Sequence, residues 1–142
     1  MSWVRVWVHL VFSTKNREQF LRSKEIKEKV INHILLNAKE KNIWIEEING
    51  YFEHIHCLIS LGREQSISKV AQLIKGESSM WINKERLMNF HFAWQDDYWA
   101  VSIGESHLNA LKEYIKNQEE HHKVKSFSGE VDEFMKKYSW EM

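Results

Sequence analysis

Residues 43–61 read IWIEEINGYFEHIHCLISL, a stretch that predicts two β-strands in succession with no helix between them. The first strand is expected over residues 43–52 and the second over residues 54–61. Asn49-Gly50 predicts a bend or a bulge in the first strand. What lies on either side of this pair of strands therefore decides the topology of the chain.

The pair is flanked on each side by one helix and one strand. Before it, residues 3–13 alternate between two faces, as a half-buried strand does, and a helix follows with Ser23 as its N-cap. After it, a helix begins at about Ser66 and a short strand covers residues 98–103. The apolar residues at helical spacing are Ile26, Val30, Ile31, Ile34, Leu35 and Ala38 in the first helix, and Ile67, Val70, Ala71, Ile74 and Trp81 in the second.

Two further helices are predicted after the last strand. The third helix is expected from a cap at Ser106 to about Lys123, and the last one contains Val131, Phe134, Met135 and Tyr138. The element order predicts an α+β fold, a ferredoxin-like βαββαβ arrangement with an antiparallel sheet plus two C-terminal helices. No linker, repeat or low-complexity tract divides the sequence, so we expect residues 1–142 to form a single domain.

The two faces of such a sheet have different surroundings. The first and third strands are expected to lie side by side at the centre, with both crossover helices on one face. Ile55, Cys57, Ile59 and Leu61 should then point toward the helices. His54 and His56 should point to the open face, beside Trp7 and His9 of the first strand. The C-terminal helices, a partner chain or a ligand must cover that face.

Composition sets broad limits on function. Twenty basic and twenty acidic side chains give a net charge of zero, which does not indicate indiscriminate nucleic-acid binding. Residues 13–41 carry a local basic excess, which predicts either a phosphate-binding patch or a solvated helix face. The single cysteine, Cys57, excludes an internal disulfide and fits a reducing compartment. The apolar N-terminal stretch is too short and too mixed to span a membrane, so we expect a cytoplasmic protein.

His54 and His56 form the first candidate for chemistry. Histidines two apart on a strand direct both imidazoles to one side, where two ligands can reach one metal ion. On the third helix, Tyr114, Gln118 and His121 stand at i, i+4 and i+7 and form one polar stripe. A tyrosine can attack phosphorus when a metal polarises the phosphate, and an amide oxygen can complete a Mg²⁺ or Mn²⁺ site. Exposed strand histidines and an ordinary amphipathic helix remain the alternative interpretation.

Several stretches together resemble one family, the HUH-motif single-tyrosine transposases of small bacterial insertion sequences, where U denotes a hydrophobic residue. The likeness covers nearly the whole chain, in order. The matching stretches are HLVFSTKNR (9–17), HIHCLISL (54–61), IKGESSMWIN (74–83), FAWQDDYWAVSI (92–103) and YIKNQEEHH (114–122). Glu53 departs from the pattern, since Asp or Asn is expected before the first histidine.

The resemblance implies a metal-dependent enzyme that cuts and rejoins single-stranded DNA beside subterminal hairpins of a mobile element. It implies that Tyr114 forms a 5′-phosphotyrosine intermediate, which the 3′-OH of another strand resolves. His54, His56 and Gln118 would then bind Mg²⁺ or Mn²⁺. It also implies a homodimer in which the tyrosine helix of one subunit completes the histidine site of the other.

DNA contacts and competing functions remain open from the sequence. Lys15, Arg17 and His121 are the candidate DNA-binding residues. One alternative is a domesticated hairpin-binding protein without strand-transfer activity. Another is a replication initiator or relaxase, although Gln118 stands where a lysine would favour those enzymes. A third is a small RNA-binding ferredoxin-like domain, for which Trp3 and Trp7 would be the stacking aromatics.

Overall fold

The structure, a computed structural model, describes residues 2–122 and, beyond them, residues 126, 129 and 133. The last predicted helix therefore lies outside the described residues. The elements in chain order are β1 (Val6–Ser13), α1 (Lys24–Glu40), β2 (Trp44–Gly50), β3 (His54–Leu61), α2 (Ile67–Lys84), β4 (Trp99–Ile103), α3 (Leu108–Lys116) and α4 (Gln118–His122). Short 3-10 turns at Lys15–Arg17 and Glu105–His107 follow β1 and β4.

The four strands form one sheet in the order β2-β3-β1-β4, and every neighbouring pair is antiparallel. The central position of β1 and β3 and the order of the elements confirm the predicted ferredoxin-like α+β fold. Ser23 and Ser66 cap α1 and α2, because each side-chain oxygen accepts a hydrogen bond from the backbone N–H three residues on. In the described part of the chain, no helix is long and apolar enough to cross a membrane.

The main core lies between the sheet and helices α1 and α2. Ile55, Cys57 and Ile59 of β3 are fully buried in it, opposite Leu10 and Phe12 of β1. The side-chain alternation predicted for β3 is therefore confirmed. Because Cys57 lies on this face, burial raises the pKa of its thiol far above the ordinary value, which excludes it as a thiolate nucleophile at neutral pH.

The opposite, open face of the sheet carries a second apolar cluster. Trp7 of β1, Leu58 of β3 and Ile115 of α3 are buried together there, and Leu108, Leu111 and Tyr114 pack against them. The sequence allowed C-terminal helices, a partner chain or a ligand to cover this face. In the structure, a helix of the chain itself covers it. The third helix lies directly over the strand that carries the two histidines.

The third helix differs from its prediction at both ends. Ser106 does not cap it, because this residue belongs to the 3-10 turn and its hydroxyl pairs with His107 Nδ1 at 3.2 Å. The helix also does not run unbroken to Lys123. Asn117 leaves the helical conformation (φ −98°, ψ 32°) and separates α3 from α4. The polar stripe of this segment is therefore divided between two helical pieces.

Three strands are shorter than predicted, β4 by one residue because it begins at Trp99. β1 begins at Val6, and Trp3, 85% exposed, lies outside the sheet. β2 ends at Gly50, with a register irregularity between Ile45 and Glu47. Gly50 is needed at the turn into β3, since an added Cβ would collide with the backbone of His54. The predicted bend at Asn49-Gly50 therefore corresponds to a tight turn that brings His54 to the start of its strand.

Candidate active site

His54 and His56 lie on the open face at the beginning of β3. Their register partners on β1 are Ser13 and Val11, and both imidazoles are fully buried beneath the third helix. Burial of this kind excludes the interpretation of these residues as exposed strand histidines. A buried imidazole needs hydrogen-bond partners, and both rings have them.

His54 has a polar partner at each ring nitrogen. Its Nδ1 lies 2.9 Å from Glu53 Oε1, and its Nε2 lies 3.0 Å from the amide oxygen Oε1 of Gln118. Gln118 is itself fully buried, and its amide nitrogen donates to the backbone oxygen of Tyr114 at 3.2 Å. That bond fixes the orientation of the amide, so that its oxygen faces His54.

These contacts place two acceptors opposite each other. The Glu53 carboxylate and the Gln118 amide oxygen can only accept, and the charged carboxylate is the stronger acceptor, so it favours the proton of a neutral His54 on Nδ1 and leaves a lone pair on Nε2. That lone pair faces the amide oxygen of Gln118, and a metal cation bound by both atoms would make the contact favourable.

The spacing of this pair fits a metal ion. Two adjacent ligands of an octahedral ion at about 2.1 Å would lie about 3.0 Å apart, the distance between His54 Nε2 and Gln118 Oε1. In the described residues there is no cluster of three or more His, Cys, Asp or Glu side chains able to hold a metal. The candidate donors that the structure brings together here are two imidazoles and one amide oxygen.

His56 and Tyr114 meet beside this pair. The two ring centroids are 5.5 Å apart, with the rings at 85° to each other, and Tyr114 is half-buried. His56 Nδ1 lies 2.8 Å from His9 Nε2, so Nε2 is the nitrogen through which His56 would bind a metal. The structure thus brings four sequence-predicted residues together within one chain: His54, His56, Tyr114 and Gln118.

Comparisons with known proteins assign the chain to a family. Residues 2–118 match the family model described as "Transposase IS200 like". The chain belongs to the IS200-like transposase family. Transposases of insertion sequence element IS200 from Salmonella typhimurium strain LT2 and Salmonella typhi are each 28% identical to it in an alignment of 123 residues that covers 82% of this chain and 78% of theirs.

Two solved structures share the fold of this transposase. A candidate transposase from Deinococcus radiodurans R1 has a TM-score of 0.67 at 18% identity, over 82% of this chain and 93% of that one. A REP-associated tyrosine transposase bound to a REP hairpin has a TM-score of 0.64 at 16% identity, over 86% of this chain and 72% of that one. At such identities the likeness supports the fold alone.

Polar contacts hold the tyrosine-bearing segment of the transposase on the sheet. Lys112 pairs with Glu46 at 3.6 Å, and Lys27 lies 3.5 Å from Glu119 while donating to the backbone oxygen of Gly50. Asn49, the register partner of His56 on β2, donates to the backbone oxygen of Lys116 at 2.9 Å. These contacts surround the break at Asn117 and fix the positions of the two helical pieces.

The candidate DNA-binding residues of the transposase lie near the same end of the sheet. Lys15 and Arg17 are exposed in the turn after β1. The preceding residue, Thr14, donates its N–H to the backbone oxygen of Glu53 at 2.8 Å, which places the turn next to His54. His121 belongs to α4, but its side chain lies outside the described residues.

Sequence reasoning missed two contacts of the site. It placed His9 beside the histidine pair but not its direct bond to His56, and it noted Glu53 only as a departure from the family pattern. The register of β1 against β3 was the signal for His9, because two histidines on one face of adjacent strands can meet diagonally. The alternation of side chains along β3 could not have identified Glu53, because this residue precedes the strand.

Proposed function

We propose that this transposase cuts and rejoins single-stranded DNA, with Tyr114 as the nucleophile and with a divalent metal held by His54, His56 and Gln118. The observation that carries the proposal is the meeting of these four side chains on the open face of the sheet. The Tyr114 ring lies 5.5 Å from that of His56, and Gln118 Oε1 lies 3.0 Å from His54 Nε2. A phenol beside a metal-binding pair is suited to attack on a phosphodiester.

The proposed reaction exchanges one phosphate ester for another. In cleavage, the bond from Tyr114 Oη to phosphorus forms while the bond from phosphorus to the 3′ oxygen breaks, and the phenol proton ends on that oxygen. The products are a free 3′-OH and a 5′-phosphotyrosine. In joining, the 3′-OH of another strand attacks the phosphorus, and its proton returns to Tyr114. Ester bonds are conserved, so no external energy source is needed.

Side chains of this chain would bind the metal and position the phosphate for the reaction. A bound Mg²⁺ or Mn²⁺ would polarise the phosphate and stabilise the charge that develops on it. His54 and His56 would bind through Nε2, while Glu53 keeps the proton of His54 on Nδ1. Two imidazoles and one amide leave coordination positions that phosphate oxygens can take.

The proposed substrate is single-stranded DNA with hairpins near the ends of a mobile element. A solved fold relative is bound to a REP hairpin, which supports a substrate of this shape. In this chain, the support comes from Lys15 and Arg17, whose exposed turn adjoins Glu53 and His54. Cationic side chains in this position would contact backbone phosphates on the strand that enters the site. We propose His121 as a further phosphate contact.

The proposed assembly is a homodimer, and the structure bears on how its sites would be completed. The family resemblance implies a tyrosine helix supplied in trans, whereas this single chain brings Tyr114 to its own His56. A mixture of Tyr114→Phe and His56→Ala chains distinguishes the two arrangements. Cleavage regained in the mixture means that subunits exchange α3. Absence of cleavage, with a dimer present by light scattering, means that each chain uses its own helix.

The test of the chemistry is a covalent protein–DNA adduct. Labelled single-stranded oligonucleotides covering the DNA on both sides of the gene are incubated with the protein and Mn²⁺ or EDTA, and the products are separated on a denaturing gel. We expect a metal-dependent adduct with the wild type and with the matched control Tyr98→Phe, and none with Tyr114→Phe. An adduct that survives Tyr114→Phe would contradict the assignment of the nucleophile. A folded wild type that binds a hairpin but forms no adduct would support the hairpin-binding alternative.

A further inference from the structure

His9 lies in the middle of β1, on the face that carries the candidate site, and is only 3% exposed. Its Nε2 lies 2.8 Å from His56 Nδ1, and the two rings stack with centroids 5.1 Å apart at 22°. The centroids of the Tyr114 and His9 rings are 6.5 Å apart, with the two rings at 81° to each other. His9 is thus part of the site, although it is neither the proposed nucleophile nor a proposed metal donor.

The bond between His9 and His56 can be made in two ways. A neutral imidazole has one N–H donor and one acceptor nitrogen, so either ring can donate across the 2.8 Å contact. If His9 donates, the proton of a neutral His56 sits on Nε2, where it blocks a metal. If His56 donates from Nδ1, its Nε2 carries a lone pair directed away from His9. Metal binding by His56 therefore requires that His9 be the acceptor.

The other histidine has two acceptor partners of unequal strength. The charged Glu53 carboxylate is a stronger acceptor than the Gln118 amide oxygen, so it favours the metal-binding tautomer of His54. At His56 the imidazole of His9 takes the place of that carboxylate. His9 can accept the Nδ1–H bond of His56 only in the tautomer that leaves a lone pair on its own Nε2. The two metal-binding residues are thus oriented by two different kinds of partner, one anionic and one neutral.

We propose that His9 is a positioning residue, which accepts the Nδ1–H bond of His56 and holds that ring so that Nε2 can bind the metal. The proposal rests on the metal-binding role proposed for His56. Partners of this kind fix the tautomer and the orientation of ligand histidines, and their loss commonly weakens metal binding about 10- to 100-fold. The stacked, buried geometry also prevents the His56 ring from rotating away.

Two substitutions of His9 separate the effect of its hydrogen bond from the effect of its packing. His9→Gln keeps an acceptor oxygen, whereas His9→Phe fills similar space without one. We expect His9→Phe to weaken Mn²⁺ binding, measured by calorimetry, by about 10- to 100-fold and His9→Gln to stay within about threefold of the wild type. His33→Gln removes a histidine whose ring pairs with Glu77 on the far side of the sheet, and this matched control should bind Mn²⁺ as the wild type does.

A second measurement needs no metal. Long-range ¹H–¹⁵N spectra of the metal-free protein, recorded at a pH where the rings are neutral, report which nitrogen of each histidine carries the proton. We expect His56 to carry it on Nδ1 in the wild type and in His9→Gln, and to redistribute it between both nitrogens in His9→Phe. Thermal unfolding in EDTA confirms that each variant is folded.

The outcomes separate this inference from the proposed function. A His9→Phe variant that binds Mn²⁺ as well as the wild type, or an unchanged His56 tautomer in that variant, would overturn the role of His9. If the wild type itself binds no Mn²⁺, the metal role of the site fails. The spectra of the metal-free protein then still decide whether His9 sets the tautomer of His56.

Discussion

Asn49 Nδ2 lies 2.9 Å from the backbone oxygen of Lys116, a bond that joins the edge strand β2 to the last turn of α3. The carbonyl groups at the end of a helix have no partner within it, so a side-chain donor there favours its ending. Asn49 also stands opposite His56 in the strand register. One residue therefore connects the histidine strand with the point where the tyrosine helix stops.

Loss of this bond should loosen the tyrosine helix. Asn49→Ala is expected to lower the free energy of unfolding by about 1 kcal/mol, the usual net value of one hydrogen bond. If the same energy holds α3 on the sheet, the ratio of molecules with an assembled site to molecules without one would fall about fivefold. Denaturant unfolding and the rate of adduct formation measure the two effects.

The matched variant for this prediction is Asn49→Asp. It keeps the oxygen that accepts from the Gly50 N–H but has no donor for Lys116. We expect it to slow adduct formation as Asn49→Ala does. Full adduct formation in both variants would mean that this bond does not position α3.

Substitution of Glu53 should affect the metal site more than the fold. Glu53→Gln keeps the shape of the side chain but removes the charge that keeps the proton of His54 on Nδ1. Mn²⁺ binding is expected to weaken by about tenfold or more, because the ligand loses its orienting carboxylate. Calorimetric titration measures this effect. Glu64→Gln, at an exposed position after β3, serves as the control, and equal affinities in the two variants would contradict the role of Glu53.

Substitution of two glycines by alanine should change the stability of the chain in opposite directions. At Gly50 an added Cβ collides with the backbone of His54, so Gly50→Ala should destabilise the chain and displace the first histidine. At Gly76, inside α2, an added Cβ meets no atom within 4 Å, and Gly76→Ala should stabilise by about 1 kcal/mol. Chemical denaturation compares them. A stable Gly50→Ala variant with normal Mn²⁺ affinity would contradict the tight turn.

Burial of Cys57 predicts a loss of stability at alkaline pH. The thiol ionises near its ordinary pKa of about 8.5 in the unfolded chain, whereas burial raises the pKa in the folded state. The unfolded state thus loses a proton that the folded state keeps, and stability falls as pH rises above about 8.5. The contribution should reach about 2 kcal/mol by pH 10.

A cysteine-free variant isolates this effect. Cys57→Ala removes the thiol, so its unfolding free energy should fall less between pH 7 and pH 10 than that of the wild type. Parallel pH dependences of the two proteins would contradict the prediction. Iodoacetamide offers a second check, since the buried thiol should react at pH 8 only after unfolding.

The order of elements and the faces of the sheet were predictable because apolar periodicity records which side chains are buried. His54 and His56 were assigned correctly to the face away from α1 and α2 for that reason. The break at Asn117 was not predictable, since the polar stripe of Tyr114, Gln118 and His121 fits an unbroken helix. Its position depends on contacts with β2, which is distant in sequence.

The partners of the histidine ring nitrogens could not be predicted from the sequence, for a related reason. The distance between His9 and His56 depends on how β1 and β3 are aligned, and a shift of one residue would turn one of the rings to the other face. The amide of Gln118 is likewise oriented by the backbone of Tyr114, a contact that only the folded segment makes. Spacing identified these residues as candidates, and tertiary contact determines their geometry.

The hydrogen bond from the Gln118 amide to the Tyr114 backbone has a consequence for turnover. It ties Tyr114, the proposed nucleophile, to Gln118, a proposed metal donor, so that the two would leave the sheet together. If α3 lifted away to release a joined strand, the amide oxygen would be withdrawn from His54 in the same movement. Under the proposed function, release of the DNA would then be coupled to the loss of one metal donor, and an excess of free metal should favour the closed, DNA-holding form.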